Sequence, residues 1–227
     1  MIDFLRQYPE YWSDWSRRLL QGAAVTLALS LSAFLLAMAM GTLLVCLLKS
    51  PFAALRRGAQ VFIQAMRAVP LLALLLTLYF ALPSVGLTLP GAVAGALGLG
   101  LQGSAYIAEI LRGGLDAVPR GQRESALAAG LTPWQALRWV VLPQAVRTLL
   151  PPLLNAYVSI LKDSSLCALI ATNELMLAAR AIASESFLPM HIFLLVGLFY
   201  FAIAFPLSLL SRWLERRVSR GHKSLRG

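Results

Sequence analysis

Residues 19–48 read LLQGAAVTLALSLSAFLLAMAMGTLLVCLL, a run without a single charged side chain. A helix needs about 20 apolar residues to cross the hydrocarbon core of a bilayer, so this run is long enough for one tilted span. The whole chain of 227 residues is 59% hydrophobic and 13% charged, whereas soluble domains carry roughly a quarter charged residues. A chain of this size cannot bury so much apolar surface within itself. The sequence therefore predicts an all-α integral membrane protein.

The other apolar runs predict four further spans, which makes about five transmembrane helices. Residues 68–108 also lack charge, and the turn-forming residues Pro83, Gly86 and Pro90 divide them into two helices. The expected helices cover about 19–48, 61–82, 90–112, 148–170 and 187–211. They form one membrane domain over 19–211, with an interfacial aromatic segment over 1–18 before it and a basic cytoplasmic tail over 212–227 after it.

The distribution of lysine and arginine predicts the orientation in the membrane. Fourteen of these cations lie in the 49–57 loop, the 112–147 segment and the tail, against four on the opposite side. Cytoplasmic loops carry the excess of Lys and Arg, so we expect a multi-pass membrane protein with its N-terminus outside and its C-terminus in the cytoplasm. The family resemblance described below implies the bacterial inner membrane, which makes the N-terminus periplasmic. The net charge of +10 then reflects topology. Nucleic acid is not an expected partner, because the cations are not gathered in one patch.

The polar segment 119–143 interrupts the apolar runs and has the pattern of two short helices. Gly130 can adopt a positive φ and end the first helix. Thr132-Pro133 has the residue types of an N-cap and a first helical position, and Leu142-Pro143 is expected to end the second helix. A pair of short helices on the cytoplasmic face is a docking element for a soluble partner. On these grounds alone, a solvated amphipathic loop is about equally well supported.

The spacing of this segment resembles a known motif. Glu124-Ser125-Ala126, three residues, Gly130, nine residues, Val140, one residue and Leu142-Pro143 resemble the EAA loop of ATP-binding-cassette (ABC) importer permeases. Other stretches are similar to the branch of that family that imports polar amino acids: Arg67-Ala68-Val69-Pro70-Leu71-Leu72, Ala105-Tyr106-Ile107-Ala108-Glu109, Arg112-Gly113-Gly114, Pro119-Arg120-Gly121-Gln122, Leu142-Pro143-Gln144-Ala145, Pro151-Pro152-Leu153-Leu154-Asn155 and Leu161-Lys162-Asp163-Ser164-Ser165-Leu166. The resemblance covers about residues 20–215 and implies the type I importer permease fold.

The resemblance also implies a set of partners and coupling residues. In that family the loop forms coupling helices that sit in a groove of the ATPase subunit. The residues implied for ATPase coupling are Glu124, Ser125, Ala126, Gly130, Val140, Leu142 and Pro143. The expected partners are ABC ATPase subunits, a second permease chain that is identical or homologous, a periplasmic amino-acid-binding protein and a polar amino acid whose identity stays open.

The chain itself is not expected to be an enzyme. It has no G-x-x-x-x-G-K-[ST] phosphate loop, so ATP and Mg²⁺ are expected on the partner ATPase. We expect no cofactor, metal site or catalytic residue in this chain.

A substrate path is predicted from polar residues inside the apolar runs. Lys162 and Asp163 lie within an otherwise uncharged span, where insertion of an ionised group costs at least about 2.5–3.5 kcal/mol. The hypothesis is that they meet the carboxylate and the ammonium of an amino acid. The alternative is that they pair internally, within this chain or with the second permease. Four polar residues are expected to shape the same site: Gln102, Ser104, Asn155 and Ser159.

Two rival functions use the same residues. The first is a membrane-embedded enzyme built on Glu109, Lys162 and Asp163, which would lack a nucleophile–base pair, a metal cluster and a cofactor motif. The second is a scaffold that recruits a soluble partner through residues 120–143 without moving solute. Product formation by the chain alone would favour the enzyme. ATPase stimulation without uptake would favour the scaffold.

Overall fold

A computed structural model describes residues 2–223, and the regular secondary structure of these residues is helical throughout. The helices are α1 (Ile2–Leu48), α2 (Ala53–Ala68), α3 (Leu71–Leu76), α4 (Gly91–Asp116), α5 (Arg120–Ala128), α6 (Pro133–Gln135), α7 (Leu142–Asp163), α8 (Leu175–Ser186) and α9 (Pro189–Lys223). Four further helical segments connect them: π-helical Thr77–Ala81 and Ala136–Val141, and 3₁₀-helical Leu82–Val85 and Ser164–Ile170. The all-α prediction is confirmed.

Three helices of the described chain are long and apolar enough to cross a membrane: Tyr11–Leu48, Pro133–Ile170 and Pro189–Val218. The pair Ala53–Ala68 and Leu71–Val85, bent by 104°, adds a fourth if it forms one span. The span expected over 90–112 corresponds to α4, which has 26 residues and is long enough, but α4 is not among the helices that are apolar enough to cross a membrane. It lies inside the bundle against α1, α2 and α7, so its surroundings are largely protein.

Small residues bring α4 close to α1 along much of its length. A Cβ atom on Gly100 would come within 2.6 Å of a methyl carbon of Leu36 on α1. Ala33 and Ala37 of α1 are completely buried in the core that includes Leu99 of α4. Small residues at helix contacts let the backbones approach closely. The van der Waals contacts that result stabilise the helix pair in lipid, where the hydrophobic effect does not drive association.

The prediction of one helix over 61–82 is wrong. The helix begins earlier, at Ala53, and is interrupted after Ala68. Val69 has extended backbone angles of φ −77° and ψ 129°. The ring of Pro70 disfavours the helical conformation for the residue before it, so the chain turns sharply at this point.

The stop expected at Leu142-Pro143 is also wrong, and the helix expected over 148–170 begins earlier. The chain continues without a break from Pro133 to Ile170. The N–H of Leu142 donates to the carbonyl of Leu137, five residues back, at the end of the π-helical segment. Pro143 follows as the second residue of α7, and the wider turn of the π-helical segment before it accommodates the missing N–H within the continuous helix. The second short helix is therefore the first part of a membrane helix.

The chain ends are continuous with the membrane helices. The interfacial segment expected over 1–18 is not separate, because α1 runs unbroken from Ile2 to Leu48. Trp15 is only 2% exposed and packs in a core with α8 and α9. The basic tail expected over 212–227 continues α9 to Lys223, and residues 224–227 lie outside the described residues.

Helix α8 and its cap were not predicted. Glu174 precedes α8, is completely buried, and accepts hydrogen bonds from the N–H groups of Met176 and Leu177 at 2.8 Å each. It also accepts from the hydroxyls of Tyr200 at 3.0 Å and Thr26 at 3.4 Å. Burial raises the pKa of this carboxyl, while the four donors oppose that shift. One side chain thus joins α1, α8 and α9.

Replacing Glu174 with alanine is expected to lower the free energy of unfolding by about 2–4 kcal/mol, because several buried donors lose their acceptor. Glu174→Gln, which retains one acceptor oxygen, should lose less. The measurement is thermal unfolding of the purified chain in detergent. Glu185→Ala is the matched control, since Glu185 is exposed and bridges Arg18 at the surface, and it should have the smallest effect. Equal melting temperatures for Glu174→Ala and Glu185→Ala would contradict the structural role of the buried carboxyl.

Candidate functional site: a cavity between α4 and α7

A cavity of about 460 Å³ lies between α3, α4 and α7. Its lining residues are Leu71, Leu99, Gln102, Gly103, Tyr106, Ile110, Pro152, Asn155, Ala156, Ser159, Ile160 and Asp163. Asp163 is the one carboxylate in this lining. The remainder is apolar apart from two amides and two hydroxyls, a composition typical of small-molecule sites.

Some of the polar residues of α7 line the cavity and one does not. Asn155, Ser159 and Asp163 are four residues apart and share one helical face, and all three line the cavity. Lys162 does not line it. Lys162 is exposed, and it forms no ion pair within the described part of the chain. The predicted grouping of Lys162 with Asp163 on one cavity wall therefore does not occur.

The polar residues of α4 are divided in the same way. Gln102 and Tyr106 line the cavity. Ser104 is completely buried and donates to the carbonyl of Leu101 at 2.6 Å, so it does not contribute to the wall. Spacing alone could not distinguish these residues, because the side that a helix presents to a cavity depends on its neighbours.

Two contacts connect the cavity wall with the break between α2 and α3. The side-chain amide of Gln102 donates to the carbonyl of Val69 at 2.7 Å. The guanidinium carbon of Arg67 lies 5.9 Å from the centre of the Tyr106 ring. These contacts place the sharp turn of the chain directly beside the cavity wall. These contacts cannot be read from the sequence, although Pro70 indicates the turn.

Two acidic residues near the cavity do not line it, and each has a hydrogen-bonding partner. Glu109 pairs with Arg112 at 2.6 Å, as its spacing on one helix suggests, and it does not line the cavity. Glu215 of α9 accepts from the amide of Asn155 at 3.4 Å. Glu215 is 60 residues from Asn155 in the chain, so only the packing of α7 against α9 reveals this contact.

The segment 119–143 has the local structure predicted for it up to Gln135. Gly130 adopts a φ of +86°, and its N–H donates to Leu127 while that of Leu131 donates to Ala126, which is a Schellman cap. Thr132 caps the next helix and forms a reciprocal capping box with Gln135.

The residues implied for ATPase coupling fall on two parts of this segment. Glu124 and Ser125 are exposed on α5, whereas Ala126 is 6% exposed and packs inward. Gly130 ends the helix. The other three lie where the chain enters α7: Val140 is half-buried, and Leu142 and Pro143 are exposed. Glu124 forms no ion pair among the described residues, so its carboxylate faces solvent.

The described residues contain no group of three or more His, Cys, Asp or Glu side chains that could hold a metal ion.

Comparisons with known proteins agree with this architecture. Residues 33–220 match the family described as binding-protein-dependent transport system inner membrane component. The chain is 36% identical over 221 residues to the probable glutamine ABC transporter permease protein GlnP of Bacillus subtilis (strain 168), covering 95% of this chain and 99% of that protein. It is 38% identical over 162 residues to the glutamine transport system permease protein GlnP of Escherichia coli (strain K12), covering 70% and 74%.

A solved structure of an amino acid ABC transporter with histidines superposes with a TM-score of 0.86 at 31% identity, covering 96% of this chain and 99% of that chain. Family match, sequence identity and backbone geometry thus agree over most of the length. The chain belongs to the binding-protein-dependent transport system inner membrane component family, the membrane-spanning permeases of ABC transporters.

Proposed function

We propose that this chain is the permease subunit of an ATP-driven importer and moves a polar amino acid across the bacterial inner membrane. The observation that carries the proposal is the cavity of about 460 Å³ with Asp163 in its wall. Its volume lies in the range of about 300–1,000 Å³ found for small-ligand sites. The relatives named as glutamine permeases support an amino acid as the solute.

The cavity chemistry suits a zwitterion with a polar side chain. The Asp163 carboxylate attracts an ammonium group, and charge-assisted hydrogen bonds are the stronger ones in proteins. The amides of Gln102 and Asn155 and the hydroxyl of Ser159 supply donors and acceptors for the rest of the solute. Lys162 and Ser104, which do not line this cavity, are left out of the proposed path.

The segment 119–143 is proposed to couple transport to ATP hydrolysis in a partner subunit. Its exposed helix α5 and the start of α7 would contact an ABC ATPase subunit, which carries ATP and Mg²⁺. The chain has no catalytic role of its own in this proposal. Because Pro133–Ile170 is one continuous helix, a push on the segment would be transmitted directly to the helix that carries Asp163.

The complete importer would contain further chains. One permease of this size encloses its cavity only in part, so a second permease chain, identical or homologous, is proposed to complete the path. A periplasmic amino-acid-binding protein would deliver the solute. The excess of cations at the segment 119–143 and the tail supports a cytoplasmic C-terminus and a periplasmic N-terminus.

The proposal is tested by reconstituting the permease with its ATPase and binding protein in liposomes and measuring uptake of radiolabelled amino acids. We expect ATP-dependent uptake of a polar amino acid and none of leucine or phenylalanine. ATPase stimulation without uptake of any amino acid would instead indicate a scaffold. Chemical conversion of an amino acid by the permease alone would indicate an enzyme.

A further inference from the structure

A second cavity, of about 740 Å³, lies where α1 and α4 end and α5 begins. Three cationic residues line it: Lys49, Arg120 and Arg123. Most of the remaining wall is apolar and includes Leu115, Val118, Trp134 and Leu137. The cavity therefore combines positive charge with an apolar surface.

The positive charge of this cavity is not neutralised by the chain itself. Lys49, Arg120 and Arg123 form no ion pair with any residue that the structure describes. Asp116 is the acidic residue in the lining, and its exposed carboxylate lies 4.0 Å from Arg112, so the lining carries three cations against one anion. An anion entering the cavity would thus meet three available cations.

The start of α5 adds to this positive potential. The helix has nine residues and begins at Arg120, and no side chain caps its first turn. Unpaired N–H groups and the helix dipole make such an end favourable for an anion. Arg120 and Arg123 are three residues apart, so both lie on the cavity side of α5.

The side of α5 that is proposed to face the ATPase is not the side that lines this cavity. Glu124 and Ser125 do not line the cavity and face solvent. An occupant of the cavity would therefore leave these two residues accessible.

We propose that this cavity binds the headgroup of an anionic phospholipid. Lys49 follows directly on the 30-residue apolar run of α1, which places the cavity at the edge of the bilayer. The exposed indole of Trp134 in the wall suits the headgroup level, where tryptophan is enriched. Basic pockets between membrane helices on the cytoplasmic side bind anionic headgroups in this way. The apolar wall favours a lipid over free phosphate, which would gain nothing from it.

The proposal is tested by native mass spectrometry of the purified full chain titrated with phosphatidylglycerol or phosphatidylcholine. Phosphatidylglycerol should bind at least about tenfold more tightly than phosphatidylcholine, in keeping with the gain expected for each cation near a headgroup. The variant Lys49→Gln/Arg120→Gln/Arg123→Gln should lose that preference. The matched control removes three exposed cations outside the cavity, Arg57→Gln/Arg147→Gln/Arg212→Gln, and should keep it.

A second measurement does not depend on the triple variant. Brominated phosphatidylglycerol in vesicles should quench part of the tryptophan fluorescence, and Trp134→Phe should remove that part. Equal binding of both lipids, or equal losses in the two triple variants, would overturn the proposal. Complete competition by inorganic phosphate at equimolar concentration would assign the cavity to a free anion. Binding of an acidic segment of the ATPase with no lipid preference would assign it to a protein.

Discussion

Reversing the charge at Glu124 with Glu124→Lys is expected to lower ATP-dependent uptake by about 100-fold in the reconstituted importer. Glu124 is exposed on α5 and has no ion pair among the described residues, so the change should not disturb the permease itself. Loss of a central contact in a protein interface costs about 2–4 kcal/mol, which corresponds to roughly 30- to 1,000-fold in affinity. A large loss of uptake would therefore indicate that a partner binds the face of α5 that carries Glu124.

The measurement separates assembly from transport by pairing uptake with co-purification of the ATPase. Glu124→Lys should lose the ATPase, while the melting temperature of the permease alone should stay unchanged. Asp14→Lys is the matched control, because it makes the same change of charge at an exposed residue of α1 outside both cavities, where Asp14 has only long pairs with Arg17 at 3.9 Å and Arg18 at 3.6 Å. Normal ATPase binding by Glu124→Lys would show that α5 is not the coupling surface.

Local rules explain why the turn at Gly130 could be predicted from the sequence. A glycine at a helix end, followed by Thr132-Pro133, satisfies requirements that depend on neighbouring residues alone. The structure contains the positive φ and the N-cap that those residues predict, and Thr132 also forms a capping box with Gln135. The pair of Glu109 with Arg112 likewise follows a local rule, because residues three apart on a helix are neighbours on its surface.

Features that depend on distant contacts could not be predicted in the same way. Pro143 was expected to end a helix, yet the π-helical segment before it accommodates the missing donor. Glu174 was not recognised, because its partners Thr26 and Tyr200 come from α1 and α9. Lys162 is adjacent to Asp163 in sequence, but a helix turns by about 100° per residue, which is enough to leave only Asp163 in the cavity wall.

Asp163 lines the cavity and Lys162 does not. The second prediction with a large effect on uptake follows from this difference. Asp163→Asn is expected to reduce uptake at low solute concentration by about 10- to 100-fold. The substitution retains the size of the side chain but removes the charge that would hold the ammonium of the solute, and hydrogen bonds to charged groups contribute about 1.5–3 kcal/mol. Since the loss comes from binding, it should appear mainly as a higher KM for transport.

Two variants test whether the effect belongs to the cavity. Glu109→Gln removes the same charge from α4 outside the cavity, and Lys162→Gln removes the neighbouring charge that does not line it. Both should stay within about threefold of the wild-type chain when uptake is measured with equal amounts of assembled importer. A loss in Lys162→Gln as large as that in Asp163→Asn would contradict this cavity as the binding site. The solute would then have to reach both side chains, which only a surface completed by a second permease chain could allow.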